Sequence, residues 1–585
     1  MTVAELLELR AEDREQGLRF VDSSESTRWL PWSEVHARAL RVAGRLGAAG
    51  VGAGDRVALV FPTCPAFFDA FFGALVAGAV PVPLYPPVRL GRLDEYHRRT
   101  AAMLSAAGAR LVLADRRVRR LLGQAVAPAR PLLGCRTLDE LPEGPPARIG
   151  RSPDDLALVQ FSSGTTFDPK PVALSHRAVL SQTAALNRIW PQPAGGTVDS
   201  GVSWLPLYHD MGLIGCVLPA LAAPGTLTLL PPEAFVARPA LWLRAVSRFR
   251  ATISPAPCFA YGLCVAKIRD EELDGVDLSS WRIALNGAEP VVGSVMRAFA
   301  ERFERWGFRR EALTPVYGLS EAALAVTFSD IDRLFVSRRF DRDALARSGR
   351  AVPADEGREI VSVGRPLAGF EVRIVALSGG NRPEGREGRI LARGPSLMDG
   401  YLGRPEATER VMADGWLDTG DLGFLLDGEL FLTGRAKDVL ILNGRNHAPE
   451  DVESAVWSVP GVRAGCAVAV SWLPERSEGE RLLLLVEAAR GDAECDREEV
   501  FRACRTAVRA ATGLTVDHVE VLAAGTLPRT SSGKLRRGES LRRWLDGSLD
   551  PAGSPSLWRL GLSALRSSLD LARLHARPDG VSDGS

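Results

Sequence analysis

"SSGTTFDPKPVALSH", residues 162–176, decides how the chain is read, because small hydroxyl residues crowd around Gly164 and a lone lysine follows at Lys170. Backbone N–H groups and one ammonium in such a turn can wrap a polyphosphate. The preceding run LALVQF (156–161) has the pattern of a buried strand, and residues 176–190 carry helical spacing,. A strand–loop–helix would aim loop amides and a helix N-terminus at an anion. No G-x-x-x-x-G-K-[ST] occurs around it, so this is not a Walker loop,. A plain turn built on Asp168-Pro169 has the same composition, and the segment alone leaves both readings open.

The flanks settle the fold class. From about residue 53 to 325, short β-rich runs such as RVALVF (56–61), RLVLAD (110–115), ATISP (251–255) and RIALNG (282–287) alternate with helical patterns. That alternation predicts α/β layers around largely buried sheets. Residues 360–433 hold shorter strands and glycine turns, a β-rich subdomain. After Arg435 a second alternation begins: VLILNG, a helix near 449–457, AGCAVAV, RLLLLVEA, a helix near 497–511, then DHVEVL. The expected organisation is a large multi-sheet N-terminal domain (1–434), a small α+β C-terminal domain (435–545), and a linker and tail (546–585). The turn GRAKD (434–438) is the junction. In the tail, Trp558, Leu562, Leu565 and Leu569 recur at helical spacing, for core packing or for docking to a partner,.

Composition narrows the partners. A chain of 585 residues is too long for one ordinary core,. A net charge of +1 gives no bulk reason to bind nucleic acid or anionic membrane,. The eight cysteines are scattered without metal-ligand spacing, the pattern of reduced thiols in a cytoplasmic protein,. The start, MTVAELLELRAEDREQG, is charged and predicts no secretory leader. The apolar stretches 65–85 and 211–230 are broken by glycine and proline, so they read as buried helix–turn–strand units rather than membrane spans,. Only four of the 72 basic residues are lysines, namely Lys170, Lys267, Lys437 and Lys534. Where arginine is the default cation, each retained ammonium marks a place to look for chemistry.

Three of those lysines fall in turn segments accompanied by further motifs. YGLSEAA (317–323) offers an aromatic face at Tyr317, a tight turn at Gly318, a hydroxyl at Ser320 and a carboxylate at Glu321. NGAEP (286–290) follows a strand, where backbone meets ligands in open α/β sheets,. GWLDTGDLG (415–423) presents Asp418 and Asp421, and one loop carboxylate can accept both hydroxyls of a ribose,. LPRTSSGKLRRGE (527–539) places Lys534 in a glycine–serine loop, where an ammonium could reach a developing negative charge,. Solvated acidic and basic turns explain the last two equally well when each is taken alone.

In this order and spacing the segments resemble the adenylate-forming enzymes, which include acyl-CoA synthetases, luciferases and nonribosomal adenylation domains. The finer match is to the fatty acyl-AMP ligases, through PVPLYPP (81–87), WLPLYHDMGLIG (204–215) and the segment 340–366. The resemblance implies activation of a fatty acid carboxylate by ATP with Mg²⁺, pyrophosphate release, and an acyl adenylate as product. It places Ser162, Ser163, Gly164, Thr165, Thr166 and Lys170 on the β,γ-phosphates. Gly287, Ala288, Glu289 and Tyr317 would frame adenine, with Ser320 on the α-phosphate and Glu321 on the metal. Asp421 and Arg435 would hold ribose, and Lys534 would bridge the carboxylate and α-phosphate oxygens. Lys437 matches the family's hinge, Gly444 the approach of a pantetheine arm, and His209 a gate at the acyl tunnel, although a buried hydrogen-bonded histidine fits that position too.

The insertion-like segment 340–366 further implies restrained domain motion and transfer to the phosphopantetheine thiol of an acyl carrier protein, or of a carrier domain in a polyketide or nonribosomal synthase. The alternatives are an acyl-CoA synthetase using free coenzyme A, a non-catalytic adenylate- or lipid-binding relative, and an amino-acid-activating domain. Two residues depart from the family pattern. Phe167 and Pro171 stand where glycine is usual, which predicts weakened ATP affinity through backbone cost and a lost N–H,.

Overall fold

The computed structural model describes residues 1–87, 92–162, 169–190, 198–223, 225–442, 445–474, 480–489, 497–530, 533–551 and 563–571. Ser163, Gly164, Thr165, Thr166 and Phe167 of the opening loop, Gly444, and Trp558 and Leu562 of the tail lie outside the described residues.

A nine-stranded sheet carries the N-terminal region. Six neighbouring strands run parallel, in the order Leu313–Gly318, Ile283–Asn286, Ile253–Ala256, Ser200–Ser203, Thr226–Leu229 and Gly17–Val21. Helices cover them, among them Ala240–Arg248, Cys258–Lys267 and Gly293–Phe303. Burial on both faces is why these strands read as apolar runs rather than alternating ones. Behind the sheet Trp242, Tyr261, Trp281 and Phe299 interlock edge to face, with Trp242 and Trp281 fully buried. A second, parallel sheet joins Val80–Leu84, Arg56–Val60, Leu111–Ala114 and Cys135–Arg136. The β-rich part contains the long hairpin Trp416–Leu426 and Glu429–Arg435.

Beyond Arg435 a separate apolar core gathers Leu440, Val452, Val468-flanking Ala467 and Ala469, Leu484, Val500 and Cys504. It lies between the sheet Val462–Trp472, Arg481–Ala488 and His518–Leu522 and the helices Pro449–Ala455 and Arg497–Thr512. Both apolar stretches questioned above are buried helix-to-strand units, Pro65–Val76 with Val80–Leu84, and 210–222 with Thr226–Leu229. No described helix is long and apolar enough to cross a membrane.

Three expectations change. The opening motif is not strand–loop–helix: a strand, Pro171–Ser175, intervenes and pairs antiparallel with Leu156–Phe161. All five of its residues are buried, so the short apolar run PVALS is sheet, and the helix His176–Ile189 starts at its far end. The helix N-terminus is thus not at the loop.

Pro171 is the second correction. It opens that strand, a position proline tolerates, and its carbonyl accepts from Leu402 N at 2.8 Å. A strand residue's N–H and C=O point to the same edge. The donor lost to Pro171 therefore faces the strand Gly400–Tyr401 and not the loop.

The tail is the third. In the helical stretch 563–571, Leu565 and Leu569 are 59% and 52% exposed, while Ser567 and Leu571 are buried. The docking face carries Ser567 and Leu571. A Cβ on Gly123 would stand 2.1 Å from the Ser567 carbonyl oxygen, so only glycine permits that approach.

Candidate active site

Open parallel sheets expose ligand-facing loops at the carboxyl ends of their strands. Here Ser200–Ser203 leads to His209 and Asp210, Ile253–Ala256 to Phe259, Ile283–Asn286 to Gly287, Ala288 and Glu289, and Leu313–Gly318 to Ser320 and Glu321. All of these except Gly287 line one cavity of about 1160 Å³, together with Ser162, Lys170, Tyr317, Asp421 and Arg435. Lys437 and Lys534 line it as well, so three of the chain's four lysines meet in one place.

Two glycines fix the loops. A Cβ at Gly318 would lie 1.8 Å from the Leu324 carbonyl oxygen, which accepts from Leu319 N at 2.7 Å. A Cβ at Gly287 would meet Val316 Cγ2 at 2.7 Å. Beside them, Ala288 and Ala323 hold positive φ of 68° and 62°. Non-glycine residues of this kind cluster where a site over-determines its backbone.

At one wall Tyr317 donates its hydroxyl proton to Asp421 at 2.7 Å, and Arg435 pairs with the same carboxylate at 3.0 Å. Asp421 holds the Arg435 guanidinium above its ordinary value, and burial pushes the Tyr317 phenol up. Asp418, which lines the same wall, is ion-paired with Arg389.

Deeper in, Ser320 Oγ donates to Asp210 at 2.5 Å, and His209 Nδ1 lies 2.7 Å from the other Asp210 oxygen. Burial alone would raise this carboxyl. His209, the Ser320 hydroxyl and Lys534 outweigh it and hold it well below the usual carboxylate range. Across the cavity Glu289 accepts from Phe259 N at 2.6 Å, and burial pushes its carboxyl up.

Lys534 arrives from the C-terminal unit. Its loop is closed by Thr530 N donating to the Lys534 carbonyl at 2.7 Å and by Arg536 N donating to Pro528 O at 3.0 Å. Burial lowers the Lys534 ammonium, Arg435 lowers it further, and Asp210 and Glu289 oppose both. Lys437 stands exposed on the turn after Arg435, and its neighbour Asp438 pairs with Arg537 at 3.2 Å.

Tyr401 was not among the residues singled out from sequence. The strand Gly400–Tyr401 pairs with Pro171–Ser175, directly after the opening loop. Tyr401 donates to Glu321 Oε1 at 2.9 Å, while the Lys170 ammonium sits 3.5 Å from its oxygen and 4.4 Å from its ring centroid. One buried phenol thus joins two expected phosphate- and metal-facing groups. Tyr401→Phe keeps the ring under Lys170 and removes the bond to Glu321. An ATP saturation curve should give a KM about tenfold higher, with the fatty acid KM unchanged.

An apolar arm leaves the cavity along Phe259, Gly262 and Val265 of one helix and Val291 and Val295 at the facing helix. It is a surface for hydrocarbon beside a charged pocket.

The comparisons agree with this geometry. The model of the AMP-binding enzyme family matches residues 7–402. The chain belongs to that family. It is 37% identical to a Caulobacter vibrioides protein assigned provisionally as an acyl-CoA synthetase, over 88% of this chain and 91% of that one. It is 34% identical to JamA of Moorena producens, a medium-chain-fatty-acid–[acyl-carrier-protein] ligase, over 94% and 96%. A solved structure from work on fatty acyl-adenylate ligases of E. coli and L. pneumophila superposes with a TM-score of 0.86 at 34% identity, covering 93% of this chain and 98% of that one. The protein is an ATP-dependent, adenylate-forming fatty acid ligase.

Proposed function

We propose that this ligase transfers its activated acyl group to the phosphopantetheine thiol of a separate acyl carrier protein or synthase carrier domain. The supporting observation is how the segment 340–366 is built. The strand Ser337–Phe340, which leads into it, and its own strand Arg358–Val361 form a hairpin whose Phe340 packs on Phe424 and Phe431. From that anchored base Arg358 pairs with Asp451 at 2.8 Å, and Asp343 pairs with Arg445 at 3.2 Å. Both partners belong to the C-terminal unit, taken here as residues 435–545, with Lys437 as its pivot.

In the first step the fatty acid carboxylate oxygen bonds to the α-phosphorus of ATP and the bond to pyrophosphate breaks. Both reactants are anions, so charge neutralisation and alignment supply most of the catalysis. Lys534 would hold the carboxylate and an α-phosphate oxygen together. Asp421 and Arg435 would fix ribose, and Tyr317, Gly287, Ala288 and Glu289 would frame adenine. Lys170 and Ser162 would meet the β,γ-phosphates, and His209 would gate the apolar arm. Glu321 is a single carboxylate, and among the described residues no group of three or more His, Cys, Asp or Glu side chains is placed to hold a metal ion by itself. That suits Mg²⁺, which takes one or two carboxylates plus substrate phosphates. The metal would neutralise phosphate charge. Asp210 would keep the Ser320 hydroxyl and the His209 ring in place. In the second step the pantetheine sulfur bonds to the acyl carbon and AMP leaves.

Incubation with ATP, Mg²⁺, a medium-chain fatty acid and coenzyme A tests the acceptor. Acyl-AMP should accumulate and then be consumed by a phosphopantetheinylated carrier. Rapid acyl-CoA formation would overturn the proposal in favour of the acyl-CoA synthetase reading, which the Caulobacter vibrioides relative favours. Removing both interdomain pairs with Asp343→Ala and Arg358→Ala should raise acyl-CoA formation. Partly exposed pairs of this kind are worth together about 1–2 kcal/mol, about five- to thirtyfold in the population of an undocked C-terminal unit. Pyrophosphate release should stay within about twofold of the parent.

A further inference from the structure

The Lys534 loop needs something to press it into the cavity, and the contacts that do so are not in the cavity. Helix Leu93–Ala107 belongs to the N-terminal region and meets the C-terminal unit at its first turn. There Glu95 pairs with Arg543 at 3.0 Å, lies 3.7 Å from Arg536, and lies 3.8 Å from Arg92 on its own helix. Arg92 crosses the same seam, donating to Thr526 O at 2.8 Å and Gly525 O at 3.3 Å.

Arg536 is the link to the chemistry. It stands two residues after Lys534, closes the base of that loop through its N–H to Pro528, and is 1% exposed. The cluster is crowded with cations. Burial lowers the Arg536 guanidinium, and Arg99 and Arg543 lower it further. Glu95 and Glu539 answer them at Arg536, and Glu487 joins these two at Arg92. Glu539 pairs with Arg542 and Arg543 and travels with the C-terminal unit, whereas Glu95 stays with the N-terminal region. Glu95 is the carboxylate that the N-terminal region brings to Arg536 and Arg543, so its attraction for them depends on the two units being docked. Without its charge, Arg92 and Arg99 on one side face Arg536 and Arg543 on the other, and like charges across a buried seam drive the units apart.

We propose that Glu95 is a positioning residue for Lys534, clamping the base of the Lys534 loop through Arg536 and Arg543 and so keeping the ammonium in the cavity. This rests on the reading that Lys534 serves adenylation, and the two are separable by experiment. Glu95→Gln is expected to lower kcat for pyrophosphate release about tenfold while leaving the ATP KM within about twofold. Transfer of a synthetic acyl adenylate to a pantetheine thiol should not fall. In ligand-free protein, hydrogen exchange in 525–530 and in the first turn of the helix Leu93–Ala107 should quicken. The conservative variant Glu95→Asp, which keeps the negative charge beside Arg536 and Arg543, should keep at least half of the parent rate.

In a Lys534→Ala background, Glu95→Gln should add nothing further. An unchanged kcat in Glu95→Gln, or an equal further loss in the Lys534→Ala background, overturns the proposal. Should Glu95→Gln fail to fold, Arg543→Gln decides: it removes the same pair from the C-terminal side, and a folded protein with unchanged kcat also overturns it. If instead Lys534→Ala alone leaves pyrophosphate release intact, the catalytic reading of Lys534 fails while the exchange data still report on the clamp.

Discussion

Lys534→Ala is expected to slow pyrophosphate release about 10²–10³-fold, the usual loss when a single charge-stabilising donor is removed from a closed site. The effect should be divided unevenly between the two steps. Lys534 approaches the cavity from the C-terminal unit, and its counter-charges there are Asp210 and Glu289. Once acyl adenylate exists, that ammonium has no further bond to form. Consumption of supplied acyl adenylate by a pantetheine thiol should stay within about threefold of the parent. Burial and Arg435 lower the ammonium below the ordinary lysine value. The protonated form is the one that can neutralise phosphate, so adenylation should fall as pH rises through that lowered value. Lys534→Arg should remove this alkaline limb, because guanidinium does not deprotonate in the range, even if misplacement of the fork lowers the plateau. A limb that persists in the arginine variant would assign it elsewhere.

Asp210→Asn is expected to have the next largest effect. Asp210 joins Ser320, His209 and the field of Lys534 in one buried place. Losing one member of a buried charged set costs about 3–5 kcal/mol when nothing replaces it. The amide retains an acceptor for Ser320, so a smaller share of that range is expected. Adenylation kcat should drop about tenfold to a hundredfold. The sign of the pH effect on stability follows from a carboxyl held below its unfolded value. The stabilisation is complete above about pH 4, the unfolded aspartate value, and fades as pH falls from there toward the folded value. Urea midpoints of parent and variant should therefore differ most near pH 7 and converge on acidification below about pH 4.

How far sequence reached can be judged on these same residues. Lys534, Glu321, Tyr317 and Asp421 were legible because each sits in a turn with an uncommon mix of glycine, hydroxyl and charge. The parallel strands were legible because two-sided burial leaves unbroken apolar runs. Pro171–Ser175 was not, since five apolar residues before a helical pattern merge into it unless their pairing with Leu156–Phe161 is known. Tyr401 was hidden for a similar reason: its place beside Glu321 follows from sheet register across the chain. Asp210 lay inside a quoted motif, but its neighbour His209 took the attention. Glu95 and Arg543 are far apart in the chain and share no local pattern at all. In the tail, periodicity marked an apolar stripe, whereas packing used the opposite face because Gly123 lets the Ser567 backbone come close.

The scarcity of lysine has a use at the bench. Lys170, Lys437 and Lys534 line the cavity, and Lys267, at the end of a helix away from it, completes the set. An amine-directed reagent therefore meets a surface on which arginine supplies nearly all the positive charge and offers it no nucleophile. Apart from the chain's own α-amino group and Lys267, every primary amine it can modify belongs to the cleft. Mass-spectrometric footprinting with acetylating reagents, with and without nucleotide, becomes a three-position map of cleft occupancy with a built-in reference at Lys267.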